Sequence, residues 1–191
     1  MHTPSALIVI DMQNGMAFER LPPRNNPVAE DRIAELLAAW RGAGLPVVCV
    51  RHISRSPASV FAPGQPGAAF QERFLPLAHE HVVEKNVPDA FINTGLERWL
   101  HARAIRRLVI AGVSTNNSVE ASARSAGNLG FDATVVADAC FTFDKRDFGG
   151  TLRSAEDVHL MALANLQGDY AQVRSAAEVL AGLGPAVQGS H

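Results

Sequence analysis

The chain has 191 residues, 47% hydrophobic and 19% charged, with a formal net charge of −2 and a sequence pI near 6.4. That length suits one domain around one buried core, and the weak negative charge leaves no basic field for nucleic acid or an anionic membrane surface. The apolar runs are of strand length, and Met1-His2-Thr3-Pro4 leads into a strand instead of a charged and apolar leader, so the expected location is the cytoplasm.

Apolar runs alternate with helical patterns along the chain, the signature of βαβ units and a parallel sheet. Residues 6–11 read as the first strand. Residues 28–43 read as a helix, with Val28, Ile33, Leu36, Leu37 and Trp40 at helical spacing and Gly42 and Gly44 closing it. The second strand is 46–51. Residues 54–67, rich in Ser, Pro and Gly, form a long loop of the kind that covers active sites in compact domains. A short third strand covers 82–85, a helix 95–104 and a fourth strand 107–111. A helix over 117–129 is punctuated by Gly130 before a fifth strand at 133–137. A helix at 154–167 starts with Ser154 as its N-cap and Glu156-Asp157 in its first turn, and 171–174 is the sixth strand. Residues 1–183 form the expected domain and 184–191 a flexible tail, with Gly189-Ser190-His191 resembling an appended scar. Cys49 and Cys140 sit inside apolar runs, which suits buried free thiols better than a disulfide framework.

The candidate catalytic residues fall at strand ends, where open α/β sheets place their ligands. Asp11 follows Ile8-Val9-Ile10, and a carboxylate partly desolvated there has its pKa raised toward the range of a general base. Lys85 stands out by composition, because the chain has fifteen arginines and two lysines, the other being Lys145 in a charged loop. A compact ammonium fits beside a carboxylate or a developing oxyanion better than a guanidinium fork does. The run from Val109 breaks at Gly112-Val113-Ser114-Thr115 and opens into a helix with Ser118 in its first turn. Backbone amides and a helix N-terminus converge at such a junction. By spacing alone, a turn or capping aspartate is the favoured reading of Asp11 and a helix cap that of Ser118.

Three motifs resemble those of the isochorismatase-like cysteine hydrolases: Asp11-Met12-Gln13 after the first strand, Lys85 before Ala90-Phe91-Ile92-Asn93-Thr94-Gly95-Leu96, and Gly112-Val113-Ser114-Thr115-Asn116-Asn117-Ser118-Val119 after the fourth. Order and spacing agree over residues 5–180. The resemblance implies a single-domain three-layer α/β/α sandwich with a mainly parallel, six-stranded, Rossmann-like sheet. It implies Asp11 as general base, Lys85 as its electrostatic partner and Ser118 at the position where the family has its cysteine nucleophile. It also implies a cis peptide at Val113–Ser114 and an oxyanion position served by Val113, Ser114 and Ser118. Gln13 and His159 match family positions in supporting roles.

The serine leaves several readings open. It is an engineered replacement of a cysteine, a natural variant with altered or lost hydrolysis, or the mark of an isochorismatase-type enzyme that protonates a vinyl ether through Asp11. A serine hydroxyl is far less acidic than a thiol and must lose its proton during attack. The leading expectation is a hydrolase acting on a C–N bond of a small amide or carbamoyl compound. A small-molecule-binding homologue without turnover is the competing one.

No metal and no cofactor are expected. Zinc-type sites in relatives use an Asp-x-His spacing, whereas here the second strand ends in Arg51-His52-Ile53-Ser54 and the other histidines are scattered. The expected substrate contacts are Gln13, Phe18, His52, Phe61, Phe91 and Asn117, with specificity in residues 18–27, 54–70 and the stretch after Cys140. The expected partners are a small-molecule substrate and, on family grounds, further copies of the chain in a homodimer or higher oligomer, with Phe141, Phe143 and Phe148 offering an apolar surface.

Overall fold

A computed structural model describes residues 5–183. In chain order the elements are β1 (Ser5–Ile10), α1 (Ala29–Gly42), β2 (Val47–His52), β3 (His81–Lys85), α2 (Leu96–Ala102), β4 (Arg107–Val113), α3 (Glu120–Asn128) and β5 (Asp132–Phe141). A hairpin of β6 (Lys145–Arg146) and β7 (Leu152–Arg153) follows, then α4 (Ala155–Leu166), β8 (Gln172–Arg174) and α5 (Ala176–Leu183). The main sheet has the order β3-β2-β1-β4-β5-β8, and every pairing in it is parallel.

Strand alternation divides β1 between two cores. Ala6, Ile8 and Ile10 face Leu96 and Leu100 of α2, Ala123 and Ala126 of α3, and Leu163 and Leu166 of α4. Leu7 and Val9 face Ile33, Leu36, Leu37 and Trp40 of α1, together with α5. The result is a three-layer α/β/α sandwich, and burial on both faces is why β1, β2 and β4 read as unbroken apolar runs. The edge strand β3 alternates instead: Val82 and Glu84 are exposed, while Val83 and Lys85 point inward. Among the described residues no helix is long and apolar enough to cross a membrane.

Four features differ from the sequence expectation. The fifth strand does not stop at residue 137. A bulge intervenes, in which β5 has four residues between Val135 and Cys140 where β4 has one between Ile110 and Gly112, and pairing resumes through Phe141 opposite Val113. The expected helix start at Asn117 is a π-turn, Thr115–Val119, in which the Val119 amide reaches back to the Ser114 carbonyl at 3.2 Å before α3 begins. The β6–β7 hairpin and α5 were not expected. The start of α5 has a reciprocal capping box, in which the Ser175 amide bonds the Glu178 carboxylate and the Glu178 amide bonds the Ser175 hydroxyl. Finally, Phe141 is not a surface residue. It lies in the core with the Arg24 guanidinium 3.6 Å over its ring, and Phe143 packs half-buried against the same core. Phe148, at the hairpin tip, is fully exposed. The expected tail, 184–191, lies outside the described residues.

Candidate active site

Three ionisable or nucleophilic side chains from separate strand ends meet at the carboxyl edge of the sheet. Asp11 follows β1 in the left-handed region (φ 54°), a conformation that aspartate tolerates better than most residues, and its amide is tied to the Val50 carbonyl at 2.9 Å. Lys85 closes β3 on the inward face of an alternating strand. Ser118 lies in the π-turn after β4. Lys85 Nζ donates to Asp11 Oδ2 at 2.7 Å and to Ser118 Oγ at 3.2 Å. Asp11 is 1% exposed, Lys85 3% and Ser118 5%. Burial pushes the Asp11 carboxyl above its ordinary 3.8, with the Lys85 charge pulling the other way. Asp11 Oδ2 is engaged by Lys85, whereas Oδ1 accepts no hydrogen bond from the described residues despite its burial.

The turn that carries Ser118 is braced from behind. The Val113–Ser114 peptide is cis, and Ser114 continues in an extended conformation. Thr115, fully buried, has its Oγ1 2.8 Å from His159 Nδ1 on α4. The far nitrogen of His159 faces Asn26 Nδ2 at 3.4 Å, and the same amide donates to the carbonyls of Ala137 and Cys140, closing the β5 bulge. Beside it Asn25 accepts from the Thr142 amide at 2.9 Å, and the Thr142 hydroxyl bonds Asn116 Oδ1 at 2.5 Å. Burial holds the His159 imidazole below its ordinary 6.5, with Glu156 opposing. Sequence reading assigned His159 a supporting role and missed Asn25, Asn26, Thr115 and Thr142. The available signals were the Asn25-Asn26 pair in a loop and a histidine on the apolar face of a helix.

The expected substrate contacts divide. The Gln13 side chain is engaged within the fold. Its Nε2 donates to the carbonyls of His52 and Ala68, both at 2.9 Å, and its Oε1 accepts from the His52 amide at 2.7 Å. It latches the 54–70 loop to the strand ends, helped by Asn14 and Gln71 backbone bonds to Ala69 and Met12. Phe91 is in the core against Phe131, with ring centres 5.9 Å apart. Phe61 lies over Gly15, where a Cβ would meet its ring at 2.6 Å, and edge-on to the His52 ring. Phe18 is half-buried beneath Arg20, and Asn117 is exposed. His52 is opposite Lys85 in register, half-buried, with burial and the Lys85 charge holding its imidazole below 6.5.

The two thiols are no substitute for a cysteine at position 118. Cys49 and Cys140 are both free and buried, and burial pushes each up to about 12. Among the described residues no group of three or more His, Cys, Asp or Glu side chains is placed to hold a metal ion.

Comparison with known proteins gives one result throughout. The Isochorismatase domain family matches residues 5–178. The chain is 35% identical over 173 residues to YrdC, an isochorismatase family protein of Bacillus subtilis, covering 91% of this chain and 92% of that protein. It is 33% identical over 149 residues to the maleamate amidohydrolase of Pseudomonas putida, covering 70% of each. A crystal structure assigned to the isochorismatase family from Chromobacterium violaceum superposes with a TM-score of 0.93 at 50% identity, covering 96% of this chain and 95% of that one. A carboxylate, lysine and hydroxyl clustered at the carboxyl edge of this sheet, a family match along almost the whole described length and a superposable relative make the chain a member of the isochorismatase family of hydrolases.

Proposed function

We propose that the chain hydrolyses the C–N bond of a small amide or carbamoyl compound, with Ser118 as nucleophile, Asp11 as the proton carrier and Lys85 fixing both. The observation that supports it best is the Lys85 ammonium between Asp11 and Ser118 together with the open Asp11 Oδ1. The likeness to a maleamate amidohydrolase supports the same bond type. Ser118 Oγ attacks the carbonyl carbon while its proton passes to Asp11. The charge that develops on the carbonyl oxygen is met by amides of the Val113–Ser114–Ser118 turn. Protonated Asp11 then gives its proton to the departing nitrogen, and an acyl ester remains on Ser118. A water molecule, deprotonated by Asp11, attacks that ester, and the proton returns to Ser118 as the acid leaves. A raised carboxyl pKa suits a group that carries the proton through half of this cycle.

One observation favours a second reading. The same raised pKa, at a site without a thiol, suits Asp11 as a proton donor to the double bond of a vinyl ether such as isochorismate. The test is turnover of small amides, carbamoyl compounds, nicotinamide and isochorismate by the protein, by Ser118→Cys and by Ser118→Ala. Ammonia release by the protein and by Ser118→Cys, lost in Ser118→Ala, is the expected result. Turnover of isochorismate that survives Ser118→Ala moves the assignment to vinyl-ether hydrolysis. Silence from every form, with ligand binding retained, makes the chain a binding protein.

A further inference from the structure

Two adjacent residues in the loop before α1 reach the turn of Ser118 by separate routes. Thr115 and Asn116 open that turn, and Ser114, which precedes it, supplies no side-chain cap, so nothing local holds it. On one route Asn26 Nδ2 faces His159 Nε2 at 3.4 Å, and His159 Nδ1 lies 2.8 Å from Thr115 Oγ1. On the other, Asn25 Oδ1 accepts from the Thr142 amide at 2.9 Å, and the Thr142 hydroxyl donates to Asn116 Oδ1 at 2.5 Å. The anchor is itself fixed, because Asn25 Nδ2 donates to Glu156 at 3.1 Å and Asn26 Nδ2 to the carbonyls of Ala137 and Cys140 at 3.0 and 2.6 Å. Nine polar or charged residues are buried among those described; three are Asp11, Lys85 and Ser118, and four are Asn25, Thr115, Thr142 and His159 of these two routes. Buried polar groups are costly unless bonded, and a fully bonded network fixes one geometry where apolar packing would allow several.

We propose that Asn25 and Asn26, acting through Thr142 and His159, are positioning residues for Ser118. The two routes clamp consecutive residues of the turn and so keep Ser118 Oγ at its 3.2 Å from Lys85 Nζ. None of the four makes a hydrogen bond to Asp11, Lys85 or Ser118, and each acts only through the turn. A π-turn is a rare backbone form that recurs at functional sites, and here its side chains at 115 and 116 are the handles by which distant parts of the chain grip it. The inference rests on Ser118 as the reacting group, and its test reads the position of that group without any substrate.

Ser118→Cys places a thiol at this position, and the pH dependence of its alkylation by iodoacetamide gives that thiol's titration midpoint. The Lys85 ammonium favours the thiolate, so a turn that drifts from Lys85 raises the midpoint. Within the Ser118→Cys protein, Thr115→Val and Thr142→Val each cut one route with little change of shape, and Thr115→Ser and Thr142→Ser keep the hydroxyl. Asn26→Gly removes the anchor of one route while tolerating the left-handed backbone of Asn26 (φ 46°). The expected result is a midpoint about 1 pH unit higher in both Val variants and in Asn26→Gly, with the Ser variants close to the parent. Urea unfolding identifies the variants that are folded under the assay conditions, and the midpoint is read on those. Unchanged midpoints in folded variants that are merely less stable would overturn the proposal and leave the network a support of the fold alone. If the midpoints move and no form releases ammonia from any amide, the clamp stands and the amide-hydrolase reading falls; if they stay fixed while amides are turned over, the clamp alone falls.

Discussion

Gly112 on β4 packs backbone to backbone against Ile10 on β1, its register partner, with φ at +129° and no room for a side chain. A Cβ there would come nearer the Ile10 carbonyl than the 3.0 Å that real Cβ atoms keep. Asp11 follows one of these residues and the Val113–Ser114 turn follows the other, so this contact sets the distance between the proton carrier and the nucleophile's turn. Gly112→Ala is expected to cost about 3 kcal/mol or more, from the left-handed backbone and the overlap together. Gly182→Ala in α5, with nothing within 4 Å, is the control, expected between neutral and about 0.5 kcal/mol more stable. Urea unfolding of both variants checks the pair, and equal stabilities would refute the close approach.

The pH dependence separates the two chemistries. Asp11 has its carboxyl raised above 3.8 in the folded protein. If it accepts the Ser118 proton it must be ionised at the moment of attack, so kcat/KM rises with pH through a midpoint above 3.8. If it donates a proton to a vinyl ether it must be protonated, so kcat/KM falls as pH rises through the same midpoint. Asp11→Asn abolishes that limb in either case and lowers kcat/KM by about 10²–10⁴-fold. A profile whose acid or base limb persists in Asp11→Asn would show that another group carries the proton.

What the sequence revealed follows from how local each signal is. β1, β2 and β4 are buried on both faces, so their apolar runs stand out without knowledge of their neighbours. Asp11 and Lys85 are marked by position at strand ends, and Lys85 further by the scarcity of lysine. The continuation of β5 past Ala137 was not legible, because Asp138 interrupts the run and the bulge is closed by Asn26, more than a hundred residues away. The Thr115–His159 contact likewise depends on how α4 docks behind the turn, which no spacing reports. Gln13 was matched to a family position in a supporting role and counted among the substrate contacts, and only the folded chain shows its three side-chain bonds turned inward. The capping box at Ser175 and Glu178 is the opposite case, a local signal present in the sequence and overlooked.

His159 makes stability depend on pH near neutrality. Burial holds its imidazole below 6.5 in the folded protein, so the unfolded chain binds the proton more readily. The stability that depends on a neutral His159 is complete above 6.5 and is lost as pH falls from there toward the folded value, at up to about 1.4 kcal/mol per pH unit. Protonation would also set an N–H of the ring against the Asn26 amide donor. His159→Gln is expected to be less stable at pH 7.5 and to lose less than the unmodified protein between pH 7 and 5. Parallel curves of unfolding free energy against pH for the two proteins would remove His159 from this role.

Glu80 produces a separate loss at lower pH, at the opposite end of the sheet. Its side chain is 2% exposed and receives two bonds from Arg41, at 2.8 and 2.9 Å, and one from the Leu77 amide at 2.8 Å. Burial opposes its ionisation, but the Arg41 and Leu77 bonds more than offset that, so the carboxyl titrates below its ordinary 4.5. A carboxyl held low in the folded state contributes stability that is present above 4.5 and disappears as pH falls through the folded value. Glu80→Gln keeps the shape and removes the charge, leaving the Arg41 guanidinium facing a neutral amide. It is expected to cost about 2 kcal/mol at pH 7, where the unmodified carboxylate is ionised, and progressively less as pH falls below 4.5. Kinetic constants should be unchanged at neutral pH, since Glu80 lies before β3 and Asp11, Lys85 and Ser118 lie at the strand ends. Chemical unfolding at pH 7 and pH 3 checks the prediction, and a cost that does not shrink on acidification would show that Glu80 acts by packing instead of by charge.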